Sequence, residues 1–278
     1  MPKKQNNTVE LVEQYLETNK DISDNTIKTY TNIGKNIPFN ILTSQPTVIK
    51  KLEELIDNPN TKALYLNLLI LLRRENKEET DKLIKFRNDL RDKIISLRKE
   101  KLGDLKKELP KKTELMEKLN EMNGISYIIN YLFLTFGLRN KDINLKFVKK
   151  TPDNKENYLI LTPSKAELVI NDYKTDDTFG QKKLVVKDKK FIKELKGMGL
   201  KENDYLICKK NGDKLKTSTF NERIKNISID RLGETTIFKV LIADLIENNN
   251  FKDIEKLVES RGTSLNTIMK SYNVYNSK

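Results

Sequence analysis

Apolar residues recur at helical spacing through the first hundred positions of this chain, and only one internal stretch, Asn157 to Lys187, breaks into short β-prone runs. A strand signal confined to about thirty residues cannot build a large sheet, so helix packing must make most of the core. The segments "TVELVEQYLETN", "SDNTIKTYTNIGKNI", "QPTVIKKLEELIDN" and "NTKALYLNLLILLRR" each carry the helical repeat. The second opens on capping residues ahead of Ile27, Tyr30 and Ile33, and the charged stretch from Glu75 to Glu108 reads as a further helix with one apolar face. Gly103 and Pro110 break that pattern. The expected organisation is therefore a helical domain over 1–108 and a second domain over 109–278.

In the second domain "NEMNGISYIINYLFLTFGLR" reads as an apolar helix ending at Arg139. The runs "NYLILTP", "AELVINDYKT" and "GQKKLVVK" follow, separated by turn formers, with "DDTFG" as the turn between the second and third strands. Helical patterns return from "KDKKFIKELKGM" to "SLNTIMKSYNVY". The expected fold class is mainly α with a small antiparallel sheet, an α+β protein.

Composition narrows the function. The 278 residues carry 53 Lys+Arg against 40 Asp+Glu, a net charge of +13, which favours a polyanionic partner such as nucleic acid over a plain solvated surface. There is no histidine, so the usual general base and the commonest metal ligand are both missing. A Ser-His-Asp machine is excluded. The single cysteine, Cys208, allows no intramolecular disulfide and no thiolate metal cluster, in keeping with a reducing intracellular setting; it reads best as a half-buried residue of "DYLIC". No apolar run approaches the ~18 residues needed to cross a bilayer. A soluble intracellular protein with no cofactor, no metal and no membrane partner is expected.

Only nine of the 53 cationic residues are arginine, and one of them, Arg139, closes the apolar run "YLFLTFGLRNKD". A guanidinium is planar and permanently charged, and its fixed fork grips an oxyanion bidentately where lysine cannot. A cation at a helix C-terminus is also favoured by the helix dipole alone, and the residue by itself does not decide between the two roles.

The order of an arginine after an apolar helix, a lysine beside a β-turn, further helices and C-terminal tyrosines resembles the tyrosine recombinases, the phage-integrase family. "FGLRNKDI" resembles the first arginine box, and "INDYKTDDTFG" the strand-turn lysine segment in the form associated with recombinases of large DNA viruses and virophages. "NDYLICKKNGDKLKTSTFNERIKNI" resembles the segment before the second box, and "VESRGTSLNTIMKSYNVY" the helix pair that delivers the nucleophile. The N-terminal bundle, with "NTIKTYTNIGKNI", resembles the core-binding domain, which with the catalytic domain would clamp duplex DNA.

The resemblance implies site-specific cutting and rejoining of duplex DNA through a 3′-phosphotyrosine, without metal or ATP, and self-association on DNA. It implies Arg139 on the non-bridging oxygens, Lys174 as donor to the departing 5′ oxygen or contact to a base, and Tyr272, 133 residues beyond Arg139, as nucleophile. Tyr275 is the rival, sharing a helical face with Tyr272 at i and i+3. For a viral source the resemblance implies the host nucleus or a viral factory as location.

The chain departs from the family at the second box, His-x-x-Arg. Aligning "TTIFKVLIADL" puts Thr235 at the histidine and Phe238 at the arginine. Phe238 shares a face with Leu241, Ile242 and Leu245 and is expected in the core. Lys239, about 100° around the helix, and Arg261 are the candidate helpers, Arg261 serving alternatively as a DNA-backbone contact. Losing a phosphate-gripping arginine takes away roughly 3 to 4 kcal/mol of transition-state stabilisation. Two readings follow: a slow, divergent recombinase, or a recombinase-derived DNA-binding protein that no longer cuts. Phe238→Arg is expected to restore the missing cation if the helix can turn that side chain outward.

Overall fold

The computed structural model describes residues 7–153 and 155–275. It divides into two compact units, Met1–Glu100 and Lys101–Lys278.

The first unit is helical: α1 (Asn7–Thr18), α2 (Asp24–Asn36), α3 (Gln45–Leu55), α4 (Pro59–Glu75) and the start of α5 (Asp81–Glu108). Its helix starts follow the cap chemistry. Ser23 accepts from the Thr26 amide ahead of α2, and the Asn58 side chain accepts from the Asn60 and Thr61 amides ahead of α4, whose first residue is Pro59. Val12, Ile33, Leu52, Leu66, Leu69 and Leu83 meet in one apolar core. Arg73 is buried there and spends its donors on the carbonyls of Ile41, Thr43 and Glu79. With its Nη2 paired to the Glu78 carboxylate at 3.2 Å, it is a strut for a loop.

The second unit holds α6 (Lys112–Glu121), α7 (Gly124–Phe136), β1 (Lys146–Phe147), β2 (Tyr158–Leu161), β3 (Ala166–Ile170), α8 (Asp176–Phe179) and β4 (Lys182–Val186). It continues with α9 (Lys189–Gly197), α10 (Thr217–Ile227), a 3-10 turn (Ile229–Arg231), α11 (Glu234–Glu247), α12 (Phe251–Arg261) and α13 (Leu265–Ser271). Its core is built around α7, whose Ile128, Ile129, Leu132 and Phe133 are all buried, and α11, which contributes Ile237, Phe238, Leu241 and Ile242. Buried Asn130 on α7 satisfies its amide group across the core, donating to Ile227 O and accepting from the Ile229 amide at 2.9 Å each.

The fold is mainly α with a small sheet, in the order β1-β2-β3-β4. The three runs read from the sequence, β2, β3 and β4, pair antiparallel; β1 adds a parallel edge on β2, so the sheet is mixed. Two residues are too short a run to leave a strand signature of their own. Three local differences from the sequence reading bear on the site. Helix α5 runs through Gly103 and ends ahead of Pro110. The turn expected at "DDTFG" is wound into α8, closed by Gly180 at φ 66°. Tyr272 caps α13, and Tyr275 lies beyond it, where Asn273 Oδ1 accepts from the Tyr275 amide at 2.9 Å. That side chain competes with the helical hydrogen bond and ends the helix, so the two tyrosines do not share a helical face. Among the described residues, no helix is long and apolar enough to cross a membrane.

Candidate functional site

The site grows from the C-terminus of α7. The helix stops at Gly137, whose φ of 61° puts it in the left-handed region. A Cβ there would lie 2.7 Å from Phe238 Cδ2, so glycine is required for the close approach of α11 as well as for the turn. The last carbonyls of α7 need donors, and α12 supplies them. Ser260 Oγ donates to Phe136 O at 2.6 Å, and Arg261 Nη1 donates to Gly137 O at 2.6 Å and weakly to Leu138 O at 3.5 Å. Arg139 Nη1 in turn donates to the carbonyl of Arg261 at 2.5 Å. Arg139 thus caps the backbone of Arg261, and Arg261 that of the two residues ahead of Arg139.

Arg261 is only 1% exposed, which a cation tolerates only with compensation. Part of it is aromatic. The guanidinium carbon lies 4.0 Å from the Phe238 ring centre and 5.3 Å from that of Tyr272. The Tyr272 ring meets Phe238 edge-on, with centroids 4.8 Å apart at 87°. Desolvated cation–π contacts of this kind are worth on the order of 2 kcal/mol. Phe238, fully buried, Arg261 and Tyr272 form one cluster in which each group meets the other two.

Two carboxylates complete the surroundings. Asp142 is fully buried; its Oδ2 accepts from the Arg139 amide and from Lys182 Nζ, both at 3.2 Å, and its Oδ1 has no partner among the described residues. Lys182, at the start of β4, also donates to Ser260 O and sits 3.7 Å from the Tyr173 ring centre. Burial pulls its pKa down, against the opposing pull of Asp142. Glu234, the first residue of α11, accepts from the Asn140 amide through Oε2 and faces Arg261 Nη2 at 3.5 Å through Oε1. Burial raises its pKa while Arg261, the Asn140 amide and Arg139 pull it back. Burial lowers the pKa of Arg139, as does the charge of Arg261; Asp142, Tyr272 and Glu234 oppose the shift.

Of the residues singled out in the sequence, Arg139, Arg261 and Tyr272 lie in one cluster. Arg261, 1% exposed, has no surface to offer a DNA backbone while Glu234 stands at its Nη2. Lys174 is exposed on the turn ahead of α8 and makes no side-chain hydrogen bond or ion pair among the described residues. Its neighbours anchor that turn: Tyr173 donates to Gly180 O at 2.7 Å, and Thr175 Oγ1 donates at 2.5 Å to Gly262 O, the residue after Arg261. Lys239 is half-buried, with its pKa lowered by burial, and is bonded to none of these groups. Tyr275 donates to Glu247 instead, and burial with that bond pushes its pKa up to about 12. The outward rotation that Phe238→Arg requires is blocked by the packing of Phe238 against Gly137, Arg261 and Tyr272.

The sequence reading passed over Lys182 and Glu234. Lys182 is one lysine among many, and Glu234 is an ordinary first-turn acid; neither stands out without the fold. A cleft of about 620 Å³, lined by Leu134, Phe136, Lys182, Lys183, Leu241 and Lys256 among others, shares Lys182 and Ser260 with these surroundings and includes none of Arg139, Arg261 and Tyr272.

No protein-family model matches the chain, and no curated protein does. Among solved structures it is similar to the crystal structure of XerA recombinase, over 98% of this chain and 94% of that one, with 12% identity and a TM-score of 0.39.

Proposed function

We propose that the protein cuts and rejoins duplex DNA through Tyr272, slowly, in the manner of a tyrosine recombinase. The Tyr272 oxygen attacks a phosphodiester and releases its proton to water. The phosphorus–O5′ bond breaks, and the DNA stays on the protein as a 3′-phosphotyrosine until a 5′ hydroxyl attacks in the reverse sense. Arg139 offers the donors it does not spend on Arg261 O to the non-bridging oxygens, where charge grows in the transition state. Lys174, exposed on its anchored turn, delivers the proton taken up by the leaving 5′ oxygen.

One observation carries the reading. Arg139 and Tyr272, 133 residues apart, both meet Arg261, one at its carbonyl and the other at its guanidinium. The competing tyrosine is held by Glu247 with a raised pKa. The test is trapping on a nicked suicide duplex whose sequence has been selected by binding. A covalent adduct lost in Tyr272→Phe supports the reading, and an adduct that survives Tyr272→Phe overturns the assignment of the nucleophile.

A second reading, a DNA-binding protein that no longer cuts, is favoured by the burial of Phe238 at the position where the recombinase pattern has an arginine. It predicts binding to duplex DNA with no adduct from the wild-type chain.

A further inference from the structure

We infer that Glu234 is an internal occupant of an oxyanion pocket formed by Asn140, Arg139 and Arg261, and that removing its charge opens the pocket to a tetrahedral oxyanion of the phosphate class. The carboxylate holds the place such a ligand would take. One oxygen accepts the backbone amide of Asn140, the residue after Arg139. The other faces Arg261 Nη2 at 3.5 Å, longer than a normal charge-assisted bond. Arg139 precedes Asn140 in the chain and donates to the Arg261 carbonyl, and its charge pulls the Glu234 pKa down. Glu234 starts α11, a 14-residue helix whose first amides add positive partial charge.

The fit is incomplete in a way that points to a ligand with more oxygens. Nη2 and Nε form one edge of the guanidinium fork, and in Arg261, 1% exposed, Nε has no acceptor among the described residues while Nη2 has only that long contact among them. A planar carboxylate already committed to the Asn140 amide leaves this edge half used. A tetrahedral anion offers a third and fourth oxygen. The Glu234 side chain keeps 19% of its surface exposed, so the place it fills is reachable from solvent. Glu234 thereby neutralises the cation nearest to Tyr272 and leaves Arg139 alone to meet an external phosphate.

This deepens the proposed function at the same site, and it rests on that reading only for the identity of the anion as a DNA phosphodiester. The experiment therefore uses inorganic phosphate and no DNA. Calorimetric titration compares the wild type with Glu234→Gln and Glu234→Ala, each checked for a cooperative melt. The two variants should bind phosphate at least tenfold more tightly than the wild type, and Glu234→Gln/Arg139→Ala should lose the gain. A folded Glu234→Gln or Glu234→Ala with no gain, or a gain that persists without Arg139, overturns the inference. The Asn140 amide resonance of the wild-type chain tests it independently of any variant. It should stay in place as phosphate is added, and a shift would show that the pocket is open with Glu234 present. A phosphate gain with no DNA adduct would sink the proposed reaction and leave the pocket standing; an adduct with no phosphate gain would do the reverse.

Discussion

Arg139 donates to the backbone carbonyl of Arg261, and Arg261 donates to the carbonyls of Gly137 and Leu138 just ahead of Arg139. This pair of caps sews the end of α7 to the end of α12 and fixes where Arg139 can point its remaining donors. Arg139→Lys keeps a charge but loses the fork. It should lower adduct formation by about a hundredfold or more, as removal of an oxyanion donor does, while duplex affinity falls little. Quantifying adduct and binding on the same suicide duplex checks this, and equal losses in both would make Arg139 a general DNA contact.

Lys182 and Asp142 form an ion pair with side chains 7% and 0% exposed. Removing one partner of a buried pair strands the other, at about 3 to 5 kcal/mol. Lys182→Met should therefore destabilise the chain by that amount in a urea melt, and adding Asp142→Asn should restore a good part of it. Additive losses in the double variant would mean that the pair is not coupled.

The helices and the short strands were legible because their signals are local: apolar period, caps and turn formers in "SDNTIKTYTNIGKNI" or "AELVINDYKT". Arg139 was legible for the same reason, as a rare residue at the end of an apolar run. Glu234 and Lys182 were not. Their roles depend on which elements the chain folds against them, Asn140 and Arg261 for one and Asp142 for the other. The parallel edge made by β1 escaped for a similar reason, because two residues become a strand only through their partner. The end of α13 turned on Asn273, whose side chain takes an amide that helix continuation would have used.

Tyr275 donates to Glu247, and its pKa stands at about 12 against an ordinary value of 10.0. The folded chain then holds a proton at this site that the unfolded chain releases. The stabilisation is complete below the ordinary tyrosine pKa and is lost as pH rises towards 12. Ultraviolet titration should show a phenol ionising at about 12 that moves earlier in Glu247→Gln and is missing in Tyr275→Phe, while the phenols of Tyr127 and Tyr205, also raised by burial and a carboxylate partner, are unchanged in both. Tyr275→Phe should still form the covalent adduct; loss of the adduct would return Tyr275 to the role of nucleophile.

A net charge of +13 carried mostly by lysine should give duplex binding dominated by phosphate contacts. If six or more phosphates are neutralised, affinity should fall by roughly a thousandfold between about 50 and 200 mM salt. Fluorescence anisotropy across that range reads the slope. A flat response would count against DNA as the partner and in favour of a protein ligand.

The fate of Phe238→Arg separates a missing cation from a rebuilt core. The recombinase pattern alone suggests that arginine at this position would restore catalysis. Yet the Phe238 ring is fully buried, 4.0 Å from the guanidinium of Arg261 and edge-on to Tyr272, with α7 pressed against it at Gly137. An arginine placed there would set one buried guanidinium against another and remove the ring that compensates Arg261. A buried charge without a partner costs about 3 to 5 kcal/mol, which for a domain of this size lowers the melting temperature by about 10 °C. Phe238→Arg should therefore melt early and trap no more DNA than the wild type. Phe238→Leu, which keeps the site apolar, should lose less stability and give a smaller shift. A Phe238→Arg chain that melts like the wild type and traps more adduct would mean that α11 can turn this position outward, and that the aromatic support of Arg261 is dispensable.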